Sequence, residues 1–422
     1  ISYDEVELFT FTSSIIPSNS KEFYDELWNI LEDYCDCAPE PTDCSRLLED
    51  GSARVLEDNE LRLLEEDCSG GAGVWGSITG NIDDQLDLKE KIDSYLPIIV
   101  STFLSDQSAQ TNLVVAAIDR YYAPAFTTGT VKVFEASTGD LITTVSIGAS
   151  IPNLVAYIAS VGEIWVTNFN NTTIYRYNID GVPLSPASFL GGGARATDYI
   201  EYSSTQVYLS NTLTSSVSSI NPVTRVATTL NSAALGGTLP VGMVWIRKAT
   251  SLHFGLIAVI FRSSNSIGLI DPATISVVAT AVNPGSILST PSYAAYSELA
   301  DSYYVANTLT NNIAVLVPAS PTTFAVVKTI QGISKPYGVV CNQATGLVYV
   351  AHGSASATAP VILSVIDSLT NKVIRLIPCI GQALSFANIY SLSLDSVNGF
   401  LYVVGYGNGV GTTITSKFKI AL

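Results

Sequence analysis

One pattern governs what most of this chain can fold into. Seven times, an apolar run ends in a small polar turn and is followed by a second strand-like run. The first members are LVVAAID (113–119), EIWVTNF (163–169), QVYLSNT (206–212), GLIAVIF (255–261), SYYVANT (302–308), LVYVAHG (347–353) and FLYVVGY (400–406). Their followers are VKVFEAS, TIYRYNI, SVSSINP, SIGLIDP, IAVLVPA, ILSVIDS and SKFKIAL. The spacing, roughly 40–50 residues, is that of repeats in which each unit covers the apolar face of the next. Residues 96–422 therefore read as one array of short, mainly four-stranded antiparallel units.

Seven such units suit a disc around a central channel, so the expected fold is mainly β, a seven-bladed β-propeller. The sixth unit, GLVYVAHGS followed by VILSVIDSLTNKVIRLI, resembles the YVTN/NHL-type propeller family, and the likeness extends over most of 96–422. That resemblance implies a fold and carries no shared catalytic set. PIIVSTFLS (97–105) reads as the first strand of the first blade. On that alignment the last blade reaches Leu422 after its third strand, and is either three-stranded or borrows an edge from the N-terminal segment.

Charge divides the chain in two. Residues 1–95 hold 24 acidic and 6 basic residues, a net of −18, whereas 96–422 hold 13 acidic and 14 basic. Only 14% of all residues are charged, so the surface of the repeat array is built from Ser, Thr, Asn and Gly. No basic face stands out in the sequence, which argues against duplex nucleic acid as a partner. The longest apolar region, VGMVWIRKATSLHFGLIAVIF, is broken by Arg247, Lys248 and His253 and reads as two strands, not a membrane span.

The first 95 residues divide into three. Residues 1–45 form an acidic N-terminal anchor with a helix over 18–35, where Phe23, Leu27, Ile30 and Leu31 follow helical spacing. Residues 46–72 repeat every eight residues as RLLEDGSA, RVLEDNEL and RLLEEDCS, with Arg46, Arg54 and Arg62 in register. Eight is a multiple of the strand period, so this segment reads as short β-repeats, with one acidic helix as the alternative. Cys35, Cys37, Cys44 and Cys68 fall here and suit free thiols, a disulfide near a subunit junction, or a zinc site of unusual spacing. Cys341 and Cys379 read as core residues, and no cofactor is implied.

Residues 73–95 hold a tight Gly-rich turn around Trp75 and then a short helix. Gln85, Leu88, Ile92 and Tyr95 keep the spacing of a coiled-coil seam, and three turns of helix need partners in water. WGSITGNIDDQLDLKEKI resembles the linker that precedes trimeric coiled coils in bacteriophage tail-fibre and related virion proteins, through Trp75, Gly76, Ile78, Thr79, Gly80, Gln85, Asp87 and Leu88. The resemblance implies a homotrimer, made in the host cytoplasm and carried on the virion, that meets other virion proteins through residues 1–72. A purely structural head or collar decoration protein fits the same features.

Catalytic patterns are scarce. Two histidines, His253 and His352, stand outside any nucleophile–base or metal motif. Asp271 and Asp367 occupy equivalent strand ends and read as turn residues, as do Asn168, Asn211 and Asn307. The loops after the second strands are rich in Asn, Ser and Thr and carry Tyr121, Tyr122, Phe126, Phe169, Asn170, Asn311 and Tyr406. Aromatic faces beside amide groups suit neutral sugars, so these residues are the expected contacts for a host-surface glycan or protein. The expected function is host recognition without turnover; a polysaccharide-degrading spike is the enzymatic alternative. The seam residues give the first prediction. Leu88→Asp with Ile92→Asp should convert a trimer into monomers by light scattering, and a wild-type protein that is already monomeric would refute the seam.

Overall fold

Strands covered on both faces need nearly continuous apolar sequence, whereas strands covered on one face alternate. The middle strands of these repeats follow the first rule and the outermost follow the second. Glu163–Asn168 and Ile257–Phe261 are buried at every residue, while Leu141–Ser146 and Ala227–Asn231 leave most of their length exposed.

The computed structural model describes residues 99–106, 113–125, 128–147, 151–352, 362–378, 386–396, 398–407 and 412–419. Among these residues are seven antiparallel sheets of four strands each. Sheet one comprises Leu113–Val115, Arg120–Ala125, Thr130–Glu135 and Leu141–Ser146, ordered from inside to outside. Sheet two comprises Pro152–Ile158, Glu163–Asn168, Thr173–Tyr177 and Pro183–Leu190. Sheet three runs Ala196–Ser203, Gln206–Asn211, Ser216–Ile220 and Ala227–Asn231. Sheet four runs Pro240–Trp245, Ile257–Phe261, Ser266–Asp271 and Ser276–Val282. Sheet five holds Pro291–Ser297, Ser302–Asn307, Asn312–Ser320 and Thr323–Gln331. Sheet six holds Pro336–Cys341, Leu347–His352, Ile362–Asp367 and Lys372–Pro378. Sheet seven takes Phe386–Asp395, Phe400–Gly407 and Thr412–Lys419 from the C-terminal end and Ile99–Asp106 as its outermost strand.

Inner strands of consecutive sheets lie side by side, and that of sheet seven meets that of sheet one, so the sheets form a closed ring. An apolar cluster fills each of the seven seams. Between sheets four and five it includes Ile246, Ile260, Leu269, Tyr303 and Leu316; between seven and one it includes Tyr121, Phe134 and Tyr402. Polar staples accompany them. Tyr122, Tyr208, Tyr304 and Tyr402 hold equivalent places near the start of a second strand. Each hydroxyl donates to a backbone carbonyl in the next sheet, at Ile179 (2.7 Å), Pro272 (2.7 Å), Ser368 (3.0 Å) and Ala136 (3.2 Å).

Two readings of the sequence are corrected here. The segment expected to open the first repeat instead closes the last: Ile99–Asp106 pairs antiparallel with Thr412–Lys419. LVVAAID is also not a second strand. Its LVV forms a three-residue inner strand, a 3-10 turn follows at Ala116–Ile118, and Asp119 turns the chain in a left-handed conformation (φ 51°). The second strand is Arg120–Ala125, which had read as a loop. The readings for 1–45, 46–72 and 73–95, with Trp75, Gln85, Leu88, Ile92, Tyr95 and the four N-terminal cysteines, lie outside the described residues, as do Phe126 and Cys379.

Pairing of Ile99–Asp106 generates a sharp truncation test. Deleting 1–97 should leave the thermal transition of the ring intact. Deleting 1–106 exposes the edge of Thr412–Lys419 and should lower Tm by about 10 °C or more, or cause aggregation. Equal melting of the two proteins would refute this closure.

Candidate functional site

Antiparallel pairing puts the start of every inner strand and the turn between second and third strands on one face of the ring, here called the front. The residues just before four inner strands, Arg195, Leu239, Thr290 and Lys335, all have positive φ (56°, 57°, 47° and 39°). Ser215, Asn265 and Asn311, the last residues of three front turns, do as well (48°, 49° and 54°). These strained positions lock neighbouring sheets together. Ser215 Oγ accepts the Leu239 N–H (3.2 Å), Asn265 Oδ1 that of Thr290 (2.7 Å) and Asn311 Oδ1 that of Lys335 (2.8 Å). Asn tolerates the left-handed region because its short amide bonds locally. A β-branched residue such as Thr290 does not, so its conformation is imposed by its surroundings.

Two arginines stand on this front beside aromatic rings. The Arg195 guanidinium carbon lies 3.6 Å from the centre of the Phe169 ring, and its Nε is buried without a hydrogen-bond partner. Arg262 donates from Nε to the Pro291 carbonyl (3.4 Å) and from Nη2 to the Tyr337 hydroxyl (3.2 Å). Tyr337 lies 5.6 Å from Tyr293, whose hydroxyl reaches from sheet five to the Thr197 carbonyl of sheet three (3.3 Å). Tyr293 also lines a central channel of about 820 Å³ bounded by the inner strands, with Asp198, Trp245 and Cys341. Burial pushes the Asp198 carboxyl up to about 7, although the Tyr199 and Met243 N–H groups hydrogen-bond to it and favour its ionised form. Burial likewise raises the half-buried, free Cys341 thiol to about 12.

The expected contact residues divide. Tyr121 and Tyr122 are 0% and 1% exposed, so they are not surface contacts. Tyr121 stacks on Tyr402 at 5.4 Å across the closing seam, and Tyr122 is one of the staples. Their strand is sandwiched between two neighbouring sheets, which leaves no face for a ligand. Phe169, half-buried under Arg195, and exposed Asn170 and Asn311 do lie on the front. The Asn311 oxygen is engaged by Lys335, so it serves the seam as well as the surface. Tyr406 lies in the strand Phe400–Gly407, and its side chain is outside what the structure describes. Sequence reasoning missed Arg195, Asn265, Arg262, Lys335 and Tyr337. The turn RSSNS, placed like NTLTNN, contains a signal for Asn265, whereas Arg195 lies hidden in the Gly-rich stretch GGGARA.

The remaining polar groups are structural. Asp271 and Asp367 cap their turns: Oδ1 accepts from Ala273 N–H (2.8 Å) and Leu369 N–H (3.0 Å), and Oδ2 from the Thr274 and Thr370 hydroxyls. Buried Asn307 bonds to Ser289, Ile287 and Asn312. Glu163 ties Arg176, Arg225 and Trp165 together; burial opposes its ionisation, but the hydrogen bonds from Arg176 and Trp165 outweigh it and lower its pKa. His253 is fully buried, donating from Nε2 to the Ser320 carbonyl (2.8 Å) and accepting the Tyr303 hydroxyl at Nδ1 (2.8 Å). Among the described residues no group of His, Cys, Asp and Glu is placed to hold a metal ion, and no helix is long and apolar enough to cross a membrane.

The ring has solved counterparts. It is similar to the β-propeller domain of Myceliophteria thermophila Cps50 (Swd1), with TM-score 0.58 and 9% identity over 77% of this chain and 100% of that one. It is also similar to the WD40 β-propeller domain of Doa1, with TM-score 0.57 and 12% identity over 76% and 96%. The fold is a β-propeller. No protein-family model matches the chain, and no curated protein matches it in sequence.

His352 makes this face testable by pH. It is buried, shares a 2.7 Å hydrogen bond with Ser364, and burial lowers its pKa to about 4. The unfolded chain protonates near 6.5 while the folded one does not, so this residue costs stability as pH falls from about 6.5 to about 4. The stability of wild type minus that of His352→Gln should fall by about 3 kcal/mol between pH 7.5 and pH 4 in urea titrations. Asp198, whose pKa is raised, acts with the opposite sign in that window, which is why the difference between the two proteins is the quantity to measure. A pH-independent difference would refute a buried neutral imidazole.

Proposed function

We propose that this chain is a host-recognition protein of a virus particle, in which a seven-bladed propeller is displayed on a short trimeric neck and binds a surface glycan. The observation that carries the recognition reading is the front face. There, exposed Asn and Ser turns stand beside aromatic rings and unpaired guanidinium N–H groups, on a scaffold whose sheets are cross-locked at the same edge. Such a face is rigid before binding, so little ordering entropy opposes association. The virion setting, the trimer and the anchoring role of residues 1–72 rest on the tail-fibre-like stretch around Trp75. Individual sugar contacts are weak, and three propellers on one stem would multiply them.

The scarcity of paired carboxylates on the front favours binding over glycoside hydrolysis, which uses two facing acids. Fluorescently labelled full-length protein should adhere to host cells, and Asn170→Ala with Asn311→Ala should reduce adhesion roughly 10-fold, while a 1.4 kcal/mol loss accounts for each such factor. Steady release of reducing sugar from host envelope polysaccharide would overturn the reading in favour of an enzyme. Absence of both adhesion and sugar release would leave a structural decoration protein.

A further inference from the structure

The near-neutral sum of residues 96–422 conceals a polarised molecule. Turns on the opposite face, the back, and the strand ends beside them collect Asp119, Glu135, Asp140, Glu163, Asp180, Glu201, Asp271, Glu298, Asp301, Asp367 and Asp395. Among the described residues, the acidic ones on the front are Asp106, at the outer rim of sheet seven, and Asp198, inside the channel. In sequence, residues 107–112, 126–127, 148–150, 353–361, 379–385 and 408–411, which lie outside the described residues, contain no charged residue. Among the described residues, no carboxylate pairs with Arg195, Arg262 or Lys335 on the front, and no ion pair joins any of the three to them.

Their geometry suits anion capture. Phe169 covers the Arg195 guanidinium from one side, its ring centre 3.6 Å from the guanidinium carbon. The Arg195 Nε is buried, and the two terminal nitrogens make no bond to the described residues and remain reachable by solvent. Arg262 spends Nε and Nη2 on Pro291 and Tyr337, and its Nη1 makes no bond to the described residues. A guanidinium stacked on a ring and open at its terminal N–H edge is preorganised for a carboxylate. A chain of contacts joins the two sites: Arg195 is two residues from Thr197, whose carbonyl accepts from Tyr293, and the Tyr293 ring lies tilted at 58° against Tyr337, the partner of Arg262. Neutral amides of Asn170 and Asn311 flank them and supply partners for hydroxyl groups. We infer that the glycan bound by the front is a carboxylated polysaccharide, spanning sheets two to six with its acid groups on Arg195 and Arg262.

This rests on the recognition reading above and narrows its ligand class, so the test must separate the two. The full-length protein is titrated with oligogalacturonate, neutral dextran, dextran sulfate and poly-L-glutamate by calorimetry, beside the host-cell adhesion measurement. Oligogalacturonate should bind at least tenfold more tightly than each of the other three. Affinity should fall tenfold or more in Arg195→Gln with Arg262→Gln, less in Arg195→Lys, and not at all in Lys248→Gln on the back face. Lys335→Gln, at an exposed position, should cost about threefold and guards against misfolding of the arginine variants. Equal binding of dextran overturns the acidic ligand, equal binding of dextran sulfate makes the face a general anion binder, and equal binding of polyglutamate makes its partner an acidic polypeptide. No binding of any probe by a protein that still adheres to host cells overturns the inference while the recognition reading survives. Loss of adhesion as well would remove both.

Discussion

Everything in the ring depends on how it is closed. A row of sheets has two ends, and each end exposes an apolar face and a strand edge. Here both are covered at one place. Ile99–Asp106, from the N-terminal end of the array, supplies the fourth strand of the sheet made by Phe386–Asp395, Phe400–Gly407 and Thr412–Lys419. Tyr402 of that sheet then stacks on Tyr121 and donates to the Ala136 carbonyl of sheet one. Backbone pairing and a side-chain staple thus act together. The same tyrosine position staples sheets one, three and five to their successors, so closure repeats the internal seam chemistry at the one point where the chain is not continuous. Each such hydroxyl–carbonyl bond contributes only about 1 kcal/mol net. Its larger effect is to fix the angle at which sheets meet, since the hydroxyl reaches its partner carbonyl only in one arrangement of the two sheets.

Much of the fold was legible because stacked sheets impose a simple pattern on their second strands. EIWVTN, QVYLSN, IAVIF, SYYVAN, LVYVAH and FLYVVGYG read directly as buried strands, since a strand covered on both faces has no polar alternation to obscure it. The first sheet misled because its inner strand is only three residues long and its second strand, RYYAPA, carries a proline and an arginine. A pair of adjacent tyrosines in that context looks like a loop tip. Only the topology shows that one ring fills the closing seam and the other staples the next sheet. The closing strand was illegible for a different reason: its partner is some three hundred residues away, and nothing local to IVSTFLSD distinguishes an inner strand from an outer one.

The front face was partly legible. Asn170 and Asn311 stood out because Asn is the residue that turns use, and the structure places both there. What the sequence could not convey is that one of these amides, that of Asn311, is committed to the scaffold. Asn311 and Asn265 each hold the first amide of the next sheet, so the residues that look available for a ligand are also those that set the rim. Arg195 and Arg262 were overlooked because a cation count near zero net charge gives no sense of direction. Direction enters only with the strand order, which sorts the turns into two faces.

That sorting has a local cause. Back turns that follow third strands are closed by carboxylates or amides that accept two or more nearby N–H or O–H groups, as Asp271 and Asp367 do. Acids are well suited there, because the turn itself presents donors to an anion. Front turns instead reach across to the next sheet, as Ser215, Asn265 and Asn311 do through neutral acceptors. A carboxylate could accept the same amide, but at the seam it would stand half-desolvated beside the inner-strand channel, where burial already raises the Asp198 carboxyl to about 7. Neutral acceptors on the front and charged ones on the back therefore follow from turn geometry and solvation, before any ligand is considered. Against that background three cations suffice to give the front its sign. A recognition surface for an anion needs no large basic patch when the scaffold has already sent its acids to the other side.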